Sequence, residues 1–169
     1  MDNILKVALA QISPVWLNKK ETLKKVGNSI IEASKEQVEL IVFGEGLIPG
    51  YPFWLALTGG AEWNTKINKE LHAYYVSNSI TIEKGDLDTI CELAKQYNIA
   101  VYLGVIERPL DRGGHSVYAS LVYINQKGSI ETRFGSRAEL QNMIQSMHNN
   151  NIAVYADVVL NHIYSNDND

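Results

Sequence analysis

One cysteine, Cys91, is too few for a disulfide within the chain. No apolar stretch approaches the roughly 20 residues of a membrane span, so no membrane partner is expected. Neither sign of charge dominates. The 15 Lys and Arg against 19 Asp and Glu leave a net charge of −4, which gives no support for a nucleic-acid partner. The start, Met1-Asp-Asn-Ile-Leu-Lys6, lacks the basic segment and apolar run of a signal peptide. Together these absences point to a cytoplasmic protein. His72, His115 and His148 fall at no metal-ligand spacing, and no internal repeat is present. Gly113-Gly114 is a turn rather than a phosphate loop, because no helix start follows it.

What is present is ordinary for a globular α/β chain. The 169 residues are 46% hydrophobic and 20% charged, enough to bury one core. Ile4 to Ile12 reads as a strand. Asn18 and Glu21 form a capping-box pattern. Apolar residues at Leu23, Val26, Ile30 and Ala33 then repeat at helical spacing. Leu40 to Phe43 reads as a second, buried strand. A helix is expected from about Ala61 to Val76. Asp86 is placed to cap another, with Leu87, Ile90, Cys91 and Ala94 on one face. Ile99 to Ile106 and Ser116 to Ile124 are strands joined through a turn at Pro109, Gly113 and Gly114. This order predicts a mixed sheet with helices against one face. After Gly128 the pattern changes. Ser136 caps a helix carrying Leu140, Met143, Ile144 and Met147. Asn149-Asn-Asn151 ends it, and Ile152 to Leu160 reads as a strand buried on both faces. Residues 165–169 are polar and read as a disordered tail.

The most telling stretch is Glu39-Leu-Ile-Val-Phe-Gly-Glu45-Gly-Leu-Ile-Pro-Gly-Tyr-Pro52. It puts Glu45 at the end of a buried strand. A buried carboxylate loses solvation of its charged form, and such a group suits a general base. The alternative is a solvated glutamate opening a surface loop. Trp54, Trp63, Tyr74 and Tyr75 add aromatic weight nearby, which fits packing or an interface better than a substrate pocket.

Three strings, Lys6-Val-Ala-Leu-Ala-Gln-Ile12, Glu45 with Ile48-Pro-Gly-Tyr-Pro52, and Val101-Tyr-Leu-Gly-Val-Ile-Glu107, resemble the nitrilase superfamily over about residues 4–128. Gly-Tyr-Pro after the glutamate is closest to its nitrilase and cyanide-degrading branch. Gly44 and Gln37 depart from the family, where proline and glycine are common. The resemblance implies an αββα sandwich and a carbon–nitrogen hydrolase acting on small nitriles or amides. It also implies a homo-oligomer. In its mechanism a cysteine thiolate attacks carbon, a glutamate takes the thiol proton and a lysine stabilises the developing charge. By resemblance Glu45 is the base. The expected lysine stretch reads Ser129-Ile-Glu-Thr-Arg-Phe-Gly135 and holds no lysine. Lys127 comes too early, and the broad guanidinium of Arg133 is a poor substitute. Cys91, on an apolar helix face, reads as a small core residue rather than a nucleophile.

Residues from about 126 on, above all Val154-Tyr-Ala-Asp-Val-Val-Leu-Asn-His162, resemble the α-amylase family of (β/α)8 barrels. That resemblance implies Asn161 as a calcium ligand, His162 as a sugar-contacting residue and Asp157 as a supporting acid. Calcium needs roughly six to eight ligands, so one asparagine makes no site and no cofactor is expected. The nucleophile and acid carboxylates of glycoside hydrolysis are absent.

The expected organisation is therefore a truncated, partial nitrilase-like αββα sandwich over 1–128. An amylase-like helix–strand unit spans 129–164, and a tail spans 165–169. The join falls between about Ile124 and Glu131. The sheet should have an exposed edge and face, which the helix–strand unit could partly cover. Three functions compete. The first is a nitrilase-type hydrolase that is catalytically incomplete. The second is a non-catalytic α/β chimera with no evolved role. The third is a calcium- or glycan-binding fragment.

Overall fold

The computed structural model describes residues 5–60, 62, 64–110, 116–131 and 137–149. The chain divides into two compact units, Met1–Arg133 and Phe134–Asp169. The first holds a five-stranded sheet in sequence order: β1 (Val7–Ala10), β2 (Leu40–Phe43), β3 (Ala100–Glu107), β4 (Tyr118–Ile124) and β5 (Ile130–Glu131). β1, β2 and β3 run parallel, while β4 and β5 are antiparallel additions. The mixed sheet agrees with the sequence pattern. β1 is shorter than Ile4 to Ile12 because only Val7–Ala10 pair with β2. β5 was not anticipated: two residues carry no periodicity to read.

The parallel connections are helical. α1 (Lys19–Lys35) joins β1 to β2, and α2 (Lys66–Ser77) and α3 (Asp88–Tyr97) lie between β2 and β3. Asn18 caps α1, its side chain accepting from the Glu21 amide at 3.1 Å. Only this half of the capping box forms, since Glu21 pairs with Lys24 at 2.6 Å instead. α1 ends with the Val38 amide on the Ala33 carbonyl and Gln37 at φ 55°. That left-handed position is one that favours glycine.

Two expectations about helix starts are corrected. α2 begins at Lys66 with Thr65 as its cap, not near Ala61. Asp86 does not cap α3, whose N-cap is Leu87. The Asp86 carboxylate instead accepts from the Thr81 amide at 2.7 Å and Lys19 Nζ at 2.6 Å. The Lys19 ammonium and the Thr81 amide together occupy the carboxylate that a cap would need.

α1 and α3 lie against one face of the sheet. Val26, Ile30, Leu87, Ile90 and Ala94 meet Ile41, Phe43, Val101, Leu103, Val122 and Ile124 in a single core. The alternation of strands sends Val7, Leu9, Val42, Tyr102, Leu121 and Tyr123 to the other face. There Leu9 is 77% exposed, so the expected open face is present. Ile106, at one end of it, is covered by Trp54 and Tyr75.

α4 (Arg137–Asn149) belongs to the second unit and matches the helix expected there. Its proposed cap Ser136 lies outside the described residues. So do the strand expected at 152–160, the turn at 113–114 and the tail at 165–169. Among the described residues no helix is long and apolar enough to cross a membrane.

Candidate active site

β2 stops pairing with β3 at Val42↔Tyr102, and the chain pairs again at Ile48↔Val105. Six positions separate Val42 from Ile48, but three separate their partners. The surplus is extruded as a turn holding Gly44, Glu45 and Gly46. Leu47 N–H donates to the Gly104 carbonyl at 3.0 Å and Ile106 N–H to the Ile48 carbonyl at 2.7 Å. Glu45 is thus carried by a bulge whose two ends are both fastened to β3.

The bulge crosses β3 directly over Gly104. A Cβ there would lie 2.6 Å from Glu45 Cα, and the Gly44 carbonyl oxygen would be closer still. Only glycine lets the two backbones approach this closely. Gly104 was visible in the sequence as a glycine inside a strand, yet it was not singled out. Gly46, at φ 58°, completes the turn.

Beyond the bulge the loop is clamped by aromatic rings. Trp16 Nε1 donates to the Tyr51 carbonyl at 3.1 Å. Its ring lies 4.3 Å from Phe53 and 5.5 Å from Trp54, which in turn meets Tyr75 edge-on at 5.1 Å. Trp54 and Tyr75 are buried, as packing predicts, while Tyr74 is exposed. Burial first, and Tyr51 second, push the Tyr75 phenol up to about 12. Trp16 was not anticipated, because it stands alone in sequence.

Glu45 itself is exposed. This corrects the premise that it is buried at its strand end. Leu40 to Phe43 does sit in the sheet, but both packed helices cover the opposite face. Glu45 borders a cavity of about 250 Å³ with Gly104, Ala119, Ser120 and Leu121. A second cavity, about 600 Å³, lies along Leu9–Ser13 and Val42–Gly44 at the carboxyl ends of β1 and β2. Such strand ends are where open α/β sheets bind ligands. Among the described residues, no cysteine, lysine or histidine lines either cavity.

Cys91 lies on α3, partly buried against the core. Burial first, and then the Asp88 carboxylate, push its thiol pKa up. That disfavours the thiolate a nucleophile needs. Lys127 is exposed in the β4–β5 turn. Trp63, His115, Arg133, Asp157, Asn161 and His162 lie outside the described residues. Among the described residues, no three His, Cys, Asp or Glu side chains are grouped to hold a metal.

The carbon-nitrogen hydrolase family matches residues 6–158. The chain belongs to the carbon-nitrogen hydrolase family. An arylacetonitrilase of Aspergillus oryzae is 36% identical over 128 residues, covering 76% of this chain and 35% of that protein. A nitrilase of Meyerozyma guilliermondii is 36% identical over 126 residues, covering 75% of this chain and 36% of that protein. This hydrolase-family chain therefore spans little more than a third of the length of these relatives. Two solved structures share its fold. One is a carbon-nitrogen hydrolase from Helicobacter pylori, with TM-score 0.51, 17% identity and coverage of 76% of this chain and 38% of that one. The other is the Caenorhabditis elegans NitFhit protein, with TM-score 0.52, 14% identity and coverage of 76% and 28%.

Proposed function

We propose that this chain carries the general-base portion of a nitrilase-type site, with Glu45 as the base and a small nitrile or amide as the substrate class. The observation that carries the reading is the bulge. A carboxylate is held at the end of β2, over Gly104, beside a cavity that fits a small organic molecule. The names of the nitrile-hydrolysing relatives support the substrate class. A cytoplasmic setting goes with this reading.

The same reading makes these 169 residues catalytically incomplete. Attack on a nitrile carbon needs a thiolate, and removal of the thiol proton is what Glu45 would do. The one cysteine is on α3 with a raised pKa, and among the described residues no lysine lines the Glu45 cavity. A base without its nucleophile accelerates little, because the members of such a set act as a unit. The expected result is no ammonia release from nitriles or amides above background. Turnover that disappears in Glu45→Gln would overturn the incompleteness while upholding Glu45 as the base.

A second reading is favoured by the string Asp157-Val-Val-Leu-Asn-His162. Here the chain is an α/β chimera with an amylase-like segment after a join near residues 124–131, and the whole has no evolved activity. The family match itself runs on to residue 158, past that join, so the string alone carries this reading. Asn161 as a calcium ligand and His162 as a sugar contact are the corresponding proposals. Calorimetric titration with calcium and with maltooligosaccharides tests them, and saturable heat would count for a working fragment over an idle chimera.

A further inference from the structure

α1 and α3 pack side by side over the covered face of the sheet, and between them runs an open groove of about 650 Å³. Gly27 lets the two helices close together, since a Cβ there would meet Leu93 Cδ1 at 3.0 Å. The floor follows one helical stripe, Leu23, Gly27 and Ile31, with Leu93 of α3 beside it. These three apolar side chains are half-buried. The α1 rim is the next stripe, Lys20, Lys24 and Asn28, all exposed. The groove is therefore cationic at the start of α1 and apolar toward Ile31 and Leu93.

We propose that this groove binds a small amphipathic anion, an oxyanion head on a short hydrocarbon tail. The head sits between Lys20 and Lys24, and the tail lies toward Ile31 and Leu93. Charge complementarity carries the head. The whole chain is net −4, yet the groove is lined by three lysines against one carboxylate, Asp86. Lys19 neutralises that carboxylate at 2.6 Å. Lys24 holds only Glu21, in an exposed pair that is worth little in water. Lys20 has no salt bridge among the described residues. Lys20 and Lys24 stand four apart on one helix face, where like charges repel. An anion between them removes that repulsion. The floor carries the tail, because Lys24 to Ile31 spans about 10 Å along the helix. The volume is that of a small-molecule site. The groove shares no residue with the Glu45 cavity, so the binding test and the ammonia assay fail independently.

NMR titration of the nitrogen-15-labelled full chain with octanoate, below its micelle concentration, reads the binding. The expected result is saturable amide shifts centred on residues 20–31 and 86–93, with a dissociation constant of about a millimolar. Each methylene added from hexanoate to octanoate should tighten binding roughly two- to fourfold. Acetate should bind at least about tenfold more weakly, because it lacks the tail. Octyltrimethylammonium, with the same tail and the opposite charge, should leave these amides unmoved. Octyl phosphate distinguishes the two head chemistries, and binding of either upholds the site. Lys20→Gln and Lys24→Gln, both at exposed positions, should each weaken octanoate roughly threefold or more without lowering the thermal midpoint. Octanoate that never saturates overturns the proposal. So does acetate or the cationic amphiphile binding as well as octanoate, or affinity unchanged in both lysine variants. Shifts centred instead on Leu9 and Tyr102 of the open sheet face would also overturn it, as would a chain that pellets with anionic phospholipid vesicles but ignores octanoate.

Discussion

Gly104→Ala is the sharpest probe of how Glu45 is held. The new Cβ would sit 2.6 Å from Glu45 Cα and closer still to the Gly44 carbonyl oxygen. Both are backbone atoms, so no side chain can rotate away. The bulge must lift by roughly an ångström to reach ordinary contact distance. Lifting it strains the Leu47–Gly104 and Ile106–Ile48 hydrogen bonds. Overpacking costs about 1–3 kcal/mol, and each hydrogen bond contributes about 1 kcal/mol. Against this, replacing a strand glycine returns about 0.5–1 kcal/mol of chain entropy. The net expectation is a loss of about 2–4 kcal/mol, a large share of the roughly 5–15 kcal/mol typical of a domain. Urea unfolding followed by tryptophan fluorescence measures it, because Trp54 sits in the loop that the bulge anchors and Trp16, from the β1–α1 connection, packs on that loop. Gly44→Ala is the control. A Cβ at Gly44 meets nothing within 4 Å, so its effect should stay within about 0.5 kcal/mol. Equal losses at the two glycines, or no loss at Gly104, would refute the close-crossing argument.

The pH dependence of stability follows from Tyr75. Its phenol is raised from 10.0 to about 12 in the folded state, so on the alkaline side the unfolded chain releases this proton first. The stabilising contribution is complete below pH 10 and is lost as pH rises toward about 12. Urea midpoints measured across that interval should fall more steeply for the native chain than for Tyr75→Phe, and parallel slopes would remove the argument. The Cys91 thiol, pushed up by burial and Asp88, should react with a disulfide reagent at pH 8 more slowly than a small free thiol does. Faster reaction would reopen Cys91 as a nucleophile.

Local pattern made much of the sheet legible. Leu40 to Phe43 has the stated bounds, and Asn18 caps α1 as expected. Cys91 sits on the face shared with Ile90 and Ala94, because that face has to meet the core. What failed was decided between elements. Asp86 has the right side chain for a cap, but Lys19, distant in sequence, claims it. Glu45 follows a buried strand, but its own exposure depends on which sheet face the helices choose, and the run Leu40 to Phe43 is apolar on both faces. Gly104 is the clearest gap. A glycine in a strand signals a close approach, but only the folded chain names Gly44 and Glu45 as what approaches.

The double attachment of the bulge makes β3 a ruler for the carboxylate. One stretch of chain is measured against the same strand twice, before Gly44 and after Gly46. A slip of β3 by one residue would carry Glu45 along by about 3.3 Å. The same slip would turn Val101, Leu103 and Val105 out of the core. An error in placing this carboxylate therefore carries the full cost of inverting the central strand, so the position of Glu45 is set by the core packing of β3 as well as by its own turn.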